Sequence, residues 1–236
     1  RKDNQSKTAL VVEDNKTNQI VAQGFLTRLG FAVSVANDGQ EGVQMAQRAR
    51  FDVILMDCHM PVMDGYEATA KIRALNTHGE PAVPILAMTA NSKASDLQRC
   101  RESGMDDVLV KPLTLERVKQ ALDTWVAKSK QSTAREPAAA LVVAALPAQG
   151  AAIDIKVTEQ LRDALGSGVV AMIDAFLGDT PGYVEQLREA LRNQNSDAMR
   201  QVAHVVKGSS ANIGATVLAD IAARLEDAVG GTDREA

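Results

Sequence analysis

An α/β domain on a doubly wound, five-stranded parallel sheet, followed by a second, all-α helical-bundle domain, is the fold class that three observations predict. Over residues 7–127, short apolar runs alternate with amphipathic stretches of helical period. Three of those runs are almost continuously apolar. Beyond residue 152, every periodic stretch has helical spacing and no strand pattern returns.

The apolar runs are ALVV (9–12), FAVSVA (31–36), DVILM (52–56), PILAM (84–88) and DVLV (107–110). Between them lie amphipathic stretches near 17–29, 38–49, 64–76 and 92–103, with a fifth at 114–127. Strands that alternate with helices form βαβ units, so the strands lie parallel and both faces are covered. The first, third and fourth runs carry almost no polar residue, which suits central strands buried on both sides. Residues 128–152, KSKQSTAREPAAALVVAALPAQGAA, are dominated by Ala, Pro and polar residues and read as a linker. Helical periods follow at 155–166, 168–178, 182–193, 196–212 and 216–229, with Pro181 at a helix start and Gly214 at a helix end. The expected domains are 7–127 and 153–236, joined by the linker 128–152.

Aromatic residues make up only 3% of the chain against 45% hydrophobic residues, so the cores are aliphatic and methionine-filled. The 26 Lys and Arg against 30 Asp and Glu give a formal charge of −4, without the basic excess of a nucleic-acid binder. Two cysteines, Cys58 and Cys100, make neither a disulfide framework nor a zinc site, which points to a reducing, cytoplasmic setting. The longest apolar run, AAALVVAAL (138–146), is short of the ~20 residues that span a bilayer, and no signal peptide is visible, so no direct membrane contact is expected. The chain does not start with Met and reads as a piece of something longer.

In a parallel α/β sheet, ligands collect outside the carboxyl ends of the strands. The residues there are Glu13 and Asp14 after the first strand, Asp57 after the third, Thr89 after the fourth and Lys111 after the fifth. Taken singly each has an ordinary role: an Asp caps a helix, a Thr ends a strand, a Lys is solvated. Capping alone does not gather all five at one edge. Three crowded carboxylates repel, and a hard cation such as Mg²⁺ relieves the repulsion. A carboxylate can also act as a nucleophile and become an aspartyl-phosphate, with Lys111 and Thr89 holding the phosphoryl oxygens.

The motifs VVEDN (11–15), LMDCHMPVMDG (55–65), AMTAN (87–91) and LVKP (109–112) make residues 7–127 resemble the receiver domain of two-component response regulators. The resemblance implies a flavodoxin-like strand order 2-1-3-4-5 and phosphorylation of Asp57. It implies Mg²⁺ held by Glu13, Asp14, Asp57 and the backbone carbonyl of His59. Thr89 and Lys111 would contact the phosphoryl group, and Lys111–Pro112 would be a cis peptide. His59 and Asn91 match positions that tune phosphoryl lifetime in that family. The family often has an aromatic three residues before the lysine; here Val108 stands there, which favours a phosphoryl relay over a large surface switch.

In the second domain, Met199, Val202, Ala203, Val206 and Ile213 fall within one helical arc, and His204 lies roughly 150° from its centre, facing solvent. Arg200, Lys207 and Gly208 are at i−4, i+3 and i+4 from it. Two cations beside an imidazole suit an incoming phosphoryl group. The stretch AHVVKGSSANIGA (203–215) resembles the phosphohistidine motif of histidine phosphotransfer (HPt) domains. There the matching histidine is the phosphoryl carrier and the matching lysine, here Lys207, assists. Gly208 and Gly214 also match. That family usually closes its bundle with a further C-terminal helix. Either the helix at 155–166 completes the bundle here or one is missing, and a missing helix would expose apolar surface.

Together the resemblances imply the C-terminal part of a hybrid sensor histidine kinase, whose ATP-binding core lies elsewhere. Asp57 accepts a phosphoryl group from an upstream histidine kinase core, and His204 passes it to a downstream response regulator. Homodimerisation would come through the parent kinase, a protein of the inner membrane. An aspartate-nucleophile phosphatase would need a second Asp two residues after Asp57, where His59 stands. A docking module without phosphoryl chemistry would not need the five-residue acidic site.

Overall fold

The computed structural model describes residues 7–75, 82–90, 94–128 and 152–230, in two compact units. The predicted linker thus lies almost wholly outside the described residues, as do Asn91 and residues 231–236.

In the α/β unit the order is β1 (Lys7–Val12), α1 (Lys16–Arg28), β2 (Phe31–Ala36), α2 (Gly39–Arg48), β3 (Val53–Asp57), α3 (Gly65–Leu75), β4 (Ile85–Thr89), α4 (Ala94–Ser103), β5 (Asp107–Val110) and α5 (Leu115–Lys128). All pairings are parallel and the spatial order is β2-β1-β3-β4-β5, as expected. β3 and β4 are buried at every residue and β1 over its last four, whereas the edge strands β2 and β5 are only partly covered. Continuous apolar runs therefore marked the centre of the sheet. Leu10, Val12, Ile54, Met56, Ile85 and Ala87 join one core with Val43 of α2, Ala68 and Ile72 of α3 and Cys100 of α4. The alternate strand residues Ala9, Val11, Val53, Leu55, Leu86 and Met88 are equally buried and point to the opposite face.

Register sets the working edge. Val12 pairs with Met56, Asp57 with Met88, and Thr89 with Val110. The residues just beyond β1 and β5 therefore end level with Asp57 and Thr89. The reversal from β3 into α3 is tight: the Gly65 amide donates to the Cys58 carbonyl at 3.1 Å, and a Cβ on Gly65 would run into the carbonyl oxygen of Asp57. Gly65→Ala is expected to destabilise the unit by about 1–3 kcal/mol through overpacking and to shift Asp57. A urea melt checks the first effect and a fall in divalent-cation affinity the second. The free thiols of Cys58 and Cys100 lie 3.7 Å apart, buried between the end of β3 and α4.

The second unit is helical: α6 (Ile155–Leu165), α7 (Gly168–Arg192), α8 (Ser196–Asn212) and α9 (Thr216–Gly230). Asp154 caps α6 by accepting from the Lys156 amide at 2.9 Å, and Asn195 caps α8 by accepting from the Ala198 amide at 3.0 Å. One expectation fails. Pro181 does not start a helix; α7 runs through it unbroken. The ring removes the amide that would serve the Leu177 carbonyl, but the Thr180 hydroxyl donates to the neighbouring Phe176 carbonyl at 2.6 Å and supports the same turn. Gly214 does end a helix. It sits at φ +81, and its carbonyl accepts from the Asp154 amide at 2.7 Å, tying the α8–α9 turn to the start of α6. Along α7, Val170, Leu177, Val184 and Leu191 recur every seven residues and stay exposed.

Candidate functional site

The acidic edge forms as expected. Asp57 is the last residue of β3, Glu13 and Asp14 follow β1, Thr89 ends β4 and Lys111 follows β5. Glu13, Asp14 and Asp57 each offer a carboxylate oxygen within 4.8 Å of the others. The Lys111 ammonium donates to Glu13 Oε2 at 2.7 Å and to Asp57 Oδ2 at 2.8 Å. Its amide donates to the Thr89 carbonyl at 2.7 Å, so the lysine is pinned at both ends. The Lys111–Pro112 peptide is cis. Capping falls to another residue of the same motif: Asp64 accepts from the Glu67 amide at 2.8 Å at the start of α3. Asp57 is thus not spent on a helix end.

Electrostatics explain why the edge suits a cation. Glu13 is fully buried, and burial with the nearby Asp57 charge pushes its carboxyl up to about 8. Asp14 is raised to about 6, again by burial first and Asp57 second. Burial opposes the Lys111 charge, but Asp57 and Glu13 outweigh it and hold the ammonium above its ordinary range. One ammonium faces three carboxylates, two of them buried and Asp14 partly exposed, so full ionisation leaves negative charge in excess. An oxygen-only donor set with this excess fits a hard divalent cation such as Mg²⁺.

His59 follows two residues after Asp57, with its amide 3.5 Å from Asp57 Oδ1 and its ring edge-on to Tyr66 at 5.9 Å. In the same loop Val62 is 80% exposed and has φ 70, the left-handed region that a β-branched residue occupies at a cost of about 1–3 kcal/mol.

The raised carboxyls give a pH prediction. An unfolded Glu or Asp ionises near pH 4, while the folded cluster holds its protons to higher pH. Without divalent ions, stability should therefore fall as pH climbs from about 4.5 towards 8. A cation replaces those protons, so the rise in Tm on adding Mg²⁺ should be larger at pH 8 than at pH 5.5. Thermal melts at both pH values check this; an increment that does not depend on pH would contradict it.

In the helical unit His204 lies on α8 as expected, but its side chain is not solvent-facing. It is 14% exposed, and its Nδ1 lies 2.9 Å from Glu226 Oε1 of α9. A helical wheel of α8 alone takes no account of the antiparallel neighbour that covers this side. Lys207 donates to the other oxygen of the same carboxylate at 2.9 Å. Arg200 is exposed and pairs with Asp197 at 3.3 Å. Gly208 is buried. Glu226 was not legible in sequence, because it stands 22 residues beyond the histidine on another helix. The turn at Gly214 was the one signal that could have folded α9 back onto α8. Glu226 is partly buried, which raises its carboxyl, yet its bonds to His204 and Lys207 prevail and hold it down to about 2.

Comparison with known proteins gives two family matches. Residues 9–123 match the response regulator receiver domain, and residues 171–236 match the Hpt domain. Among curated relatives, the chain is 38% identical over 130 residues to the sensor histidine kinase RcsC of Escherichia coli, covering 55% of this chain and 13% of that protein. It is 29% identical over 226 residues to the virulence sensor protein BvgS of Bordetella bronchiseptica, covering 94% of this chain and 18% of that protein. The chain thus spans less than a fifth of either relative. Among solved structures it is similar to the receiver domain of sensor histidine kinase PA1611 from Pseudomonas aeruginosa, which has a magnesium ion coordinated in its active-site cleft. That likeness has 42% identity and TM-score 0.48, over 52% of this chain and 98% of that one. It is also similar to a chain of the Saccharomyces cerevisiae complex of the histidine phosphotransfer protein Ypd1 with the receiver domain of Ssk1. Here identity is 29% and TM-score 0.49, over 52% of this chain and 90% of that one.

Proposed function

Since the chain belongs to the receiver-domain family over residues 9–123 and to the Hpt family over residues 171–236, we propose that it is a two-step phosphorelay segment. In this reading the functional domains run over 7–127 and 153–236, joined by 128–152. Asp57 takes a phosphoryl group from the phosphohistidine of an upstream kinase core, and His204 delivers one to a separate response regulator.

A carboxylate oxygen of Asp57 attacks phosphorus, the P–N bond of the donor breaks, and its ring nitrogen leaves with the electron pair. Lys111, already 2.8 Å from Asp57 Oδ2, stays beside the group and offsets the charge that gathers on the phosphoryl oxygens. The Thr89 hydroxyl and the His59 amide serve as hydrogen-bond donors to it. Glu13, Asp14, Asp57 and the His59 carbonyl would hold Mg²⁺, which supplies Lewis-acid neutralisation of phosphoryl charge. In the second step a ring nitrogen of His204 attacks the acyl phosphate. The P–O bond breaks and Asp57 returns as a carboxylate, so no proton is needed to expel the leaving group. Among the described residues no helix is long and apolar enough to cross a membrane.

The single observation that carries this reading is the bridge from Lys111 to Asp57 and Glu13 inside a three-carboxylate cluster. Incubation with acetyl phosphate and Mg²⁺ tests it. Uptake of label with the base-lability of an acyl phosphate, and its loss on chelation, is expected. Steady phosphate release from ester substrates would instead mark a phosphatase, and an unlabelled chain a docking module.

A further inference from the structure

Cys58 and Cys100 are a reactive pair that the relay chemistry leaves unused. Cys58 stands between Asp57 and His59, and Cys100 stands on α4. Their sulfurs are 3.7 Å apart, and both side chains are fully buried. The chain has no other cysteine, so each thiol has only the other as a partner within the molecule. We propose that Cys58 and Cys100 form a reversible oxidation site: a peroxide closes them into a disulfide, which lowers Mg²⁺ affinity and phosphoryl acceptance at Asp57 until a dithiol reductant reopens it. The effect on acceptance rests on the reading of Asp57 as the phosphoacceptor.

A buried thiol is inert until solvent reaches it. Here access needs one element to lift. Cys100 is the sole buried residue of α4, whose other side chains are exposed or half-buried. An element with so little burial opens at low cost. In the open form the Cys100 sulfur attacks one peroxide oxygen. The S–O bond forms, the O–O bond breaks, and the departing hydroxide takes the thiol proton, giving water and a sulfenic acid. On reclosure the Cys58 sulfur attacks the sulfenic sulfur. The S–S bond forms, the S–O bond breaks, and the Cys58 proton leaves with that oxygen as a second water. Two thiols have then given two electrons to one peroxide. A dithiol reverses the step by thiol–disulfide exchange.

The bond reaches the acidic edge because both cysteines border it. A disulfide holds its sulfurs at about 2.05 Å, so the pair must close by about 1.7 Å from its 3.7 Å separation. Cys58 is tied on both sides: its amide donates to the Met88 carbonyl and its carbonyl accepts from the Gly65 amide, each at 3.1 Å. α4 is tied to the same reversal. Arg99 pairs with Asp64 at 3.2 Å and lies over the Tyr66 ring at 4.1 Å, and that ring meets His59. Closure not absorbed by side-chain rotation therefore pulls on Asp57 through the adjoining peptide or on His59 through the Tyr66 ring. Both residues belong to the proposed cation site.

The full chain, first reduced, is treated with hydrogen peroxide, and its intact mass is read before and after dithiothreitol. A mass lower by two hydrogens, a peptide joining Cys58 to Cys100, and reversal by the reductant are expected. The oxidised chain should take label from acetyl phosphate and Mg²⁺ about tenfold more slowly or worse, since a misplacement of about 1 Å at reacting groups can cost ~100-fold. Calorimetry should show weaker Mg²⁺ binding after oxidation and recovery on reduction. Cys100→Ala should label at the reduced wild-type rate with or without peroxide, which removes methionine oxidation as the cause. Where circular dichroism shows that variant unfolded, the re-reduced wild type decides, because methionine sulfoxide does not revert with a dithiol. Thiols that stay free after peroxide, or a disulfide that leaves labelling or Mg²⁺ affinity unchanged, would overturn the inference. A reduced chain that never labels would sink the relay reading instead, and the mass shift with the calorimetry would still decide this one.

Discussion

Asp57→Asn is expected to abolish phosphoryl uptake while leaving the α/β unit folded. The amide is nearly isosteric, so the fully buried residues of β3 keep their packing. Lys111 loses its charged partner at 2.8 Å but keeps Glu13 at 2.7 Å, so the buried ammonium is not left unpaired. An amide oxygen is a poor nucleophile and has no negative charge to give up, so labelling from kinase or acetyl phosphate should drop to background. The same change removes one of three charges from the cation cluster. Divalent affinity should fall, and the Glu13 carboxyl, raised in part by Asp57, should move back towards its ordinary range. Filter-bound label and Mg²⁺ calorimetry on the variant check both statements. Undiminished label on a folded variant would show that another side chain accepts the group.

His204→Gln should have an equally large but later effect. Glutamine can still donate to Glu226, so α8 and α9 should stay paired, and the buried Ala203 and Val206 of α8 are untouched. The amide cannot carry a phosphoryl group. Asp57 should label normally in this variant, while delivery to an isolated response regulator stops. The contrast between the two variants separates loss of acceptance from loss of onward transfer. Continued delivery from His204→Gln would make that histidine incidental.

Much of the first unit could be read from sequence because its signals are local. The nearly unbroken apolar runs at 9–12 and 84–88 suit short strands buried on both faces. Once five parallel strands were placed, the edge carrying Glu13, Asp57 and Lys111 followed from topology. The role of Asp64 is local too, yet its motif also contains Asp57, and only hydrogen-bond geometry shows which of the two caps α3. The second unit was harder for a physical reason. Each helix shows its own period, but nothing in one helix says which neighbour covers it. Hence the exposure expected for His204 was wrong, and Glu226 went unseen. Pro181 misled in the opposite way: its local preference for a first turn was overridden by a helix continuous on either side, with the Thr180 hydroxyl adding a bond to the adjacent Phe176 carbonyl.

Phosphorus NMR of the chain after addition of acetyl phosphate and Mg²⁺ tests the relay most directly. An acyl-phosphate resonance should appear first and a phosphohistidine resonance should grow as it decays, with both absent from Asp57→Asn and only the first present in His204→Gln. A phosphohistidine signal in the Asp57→Asn chain, or no acyl-phosphate signal in the wild type, would contradict the relay.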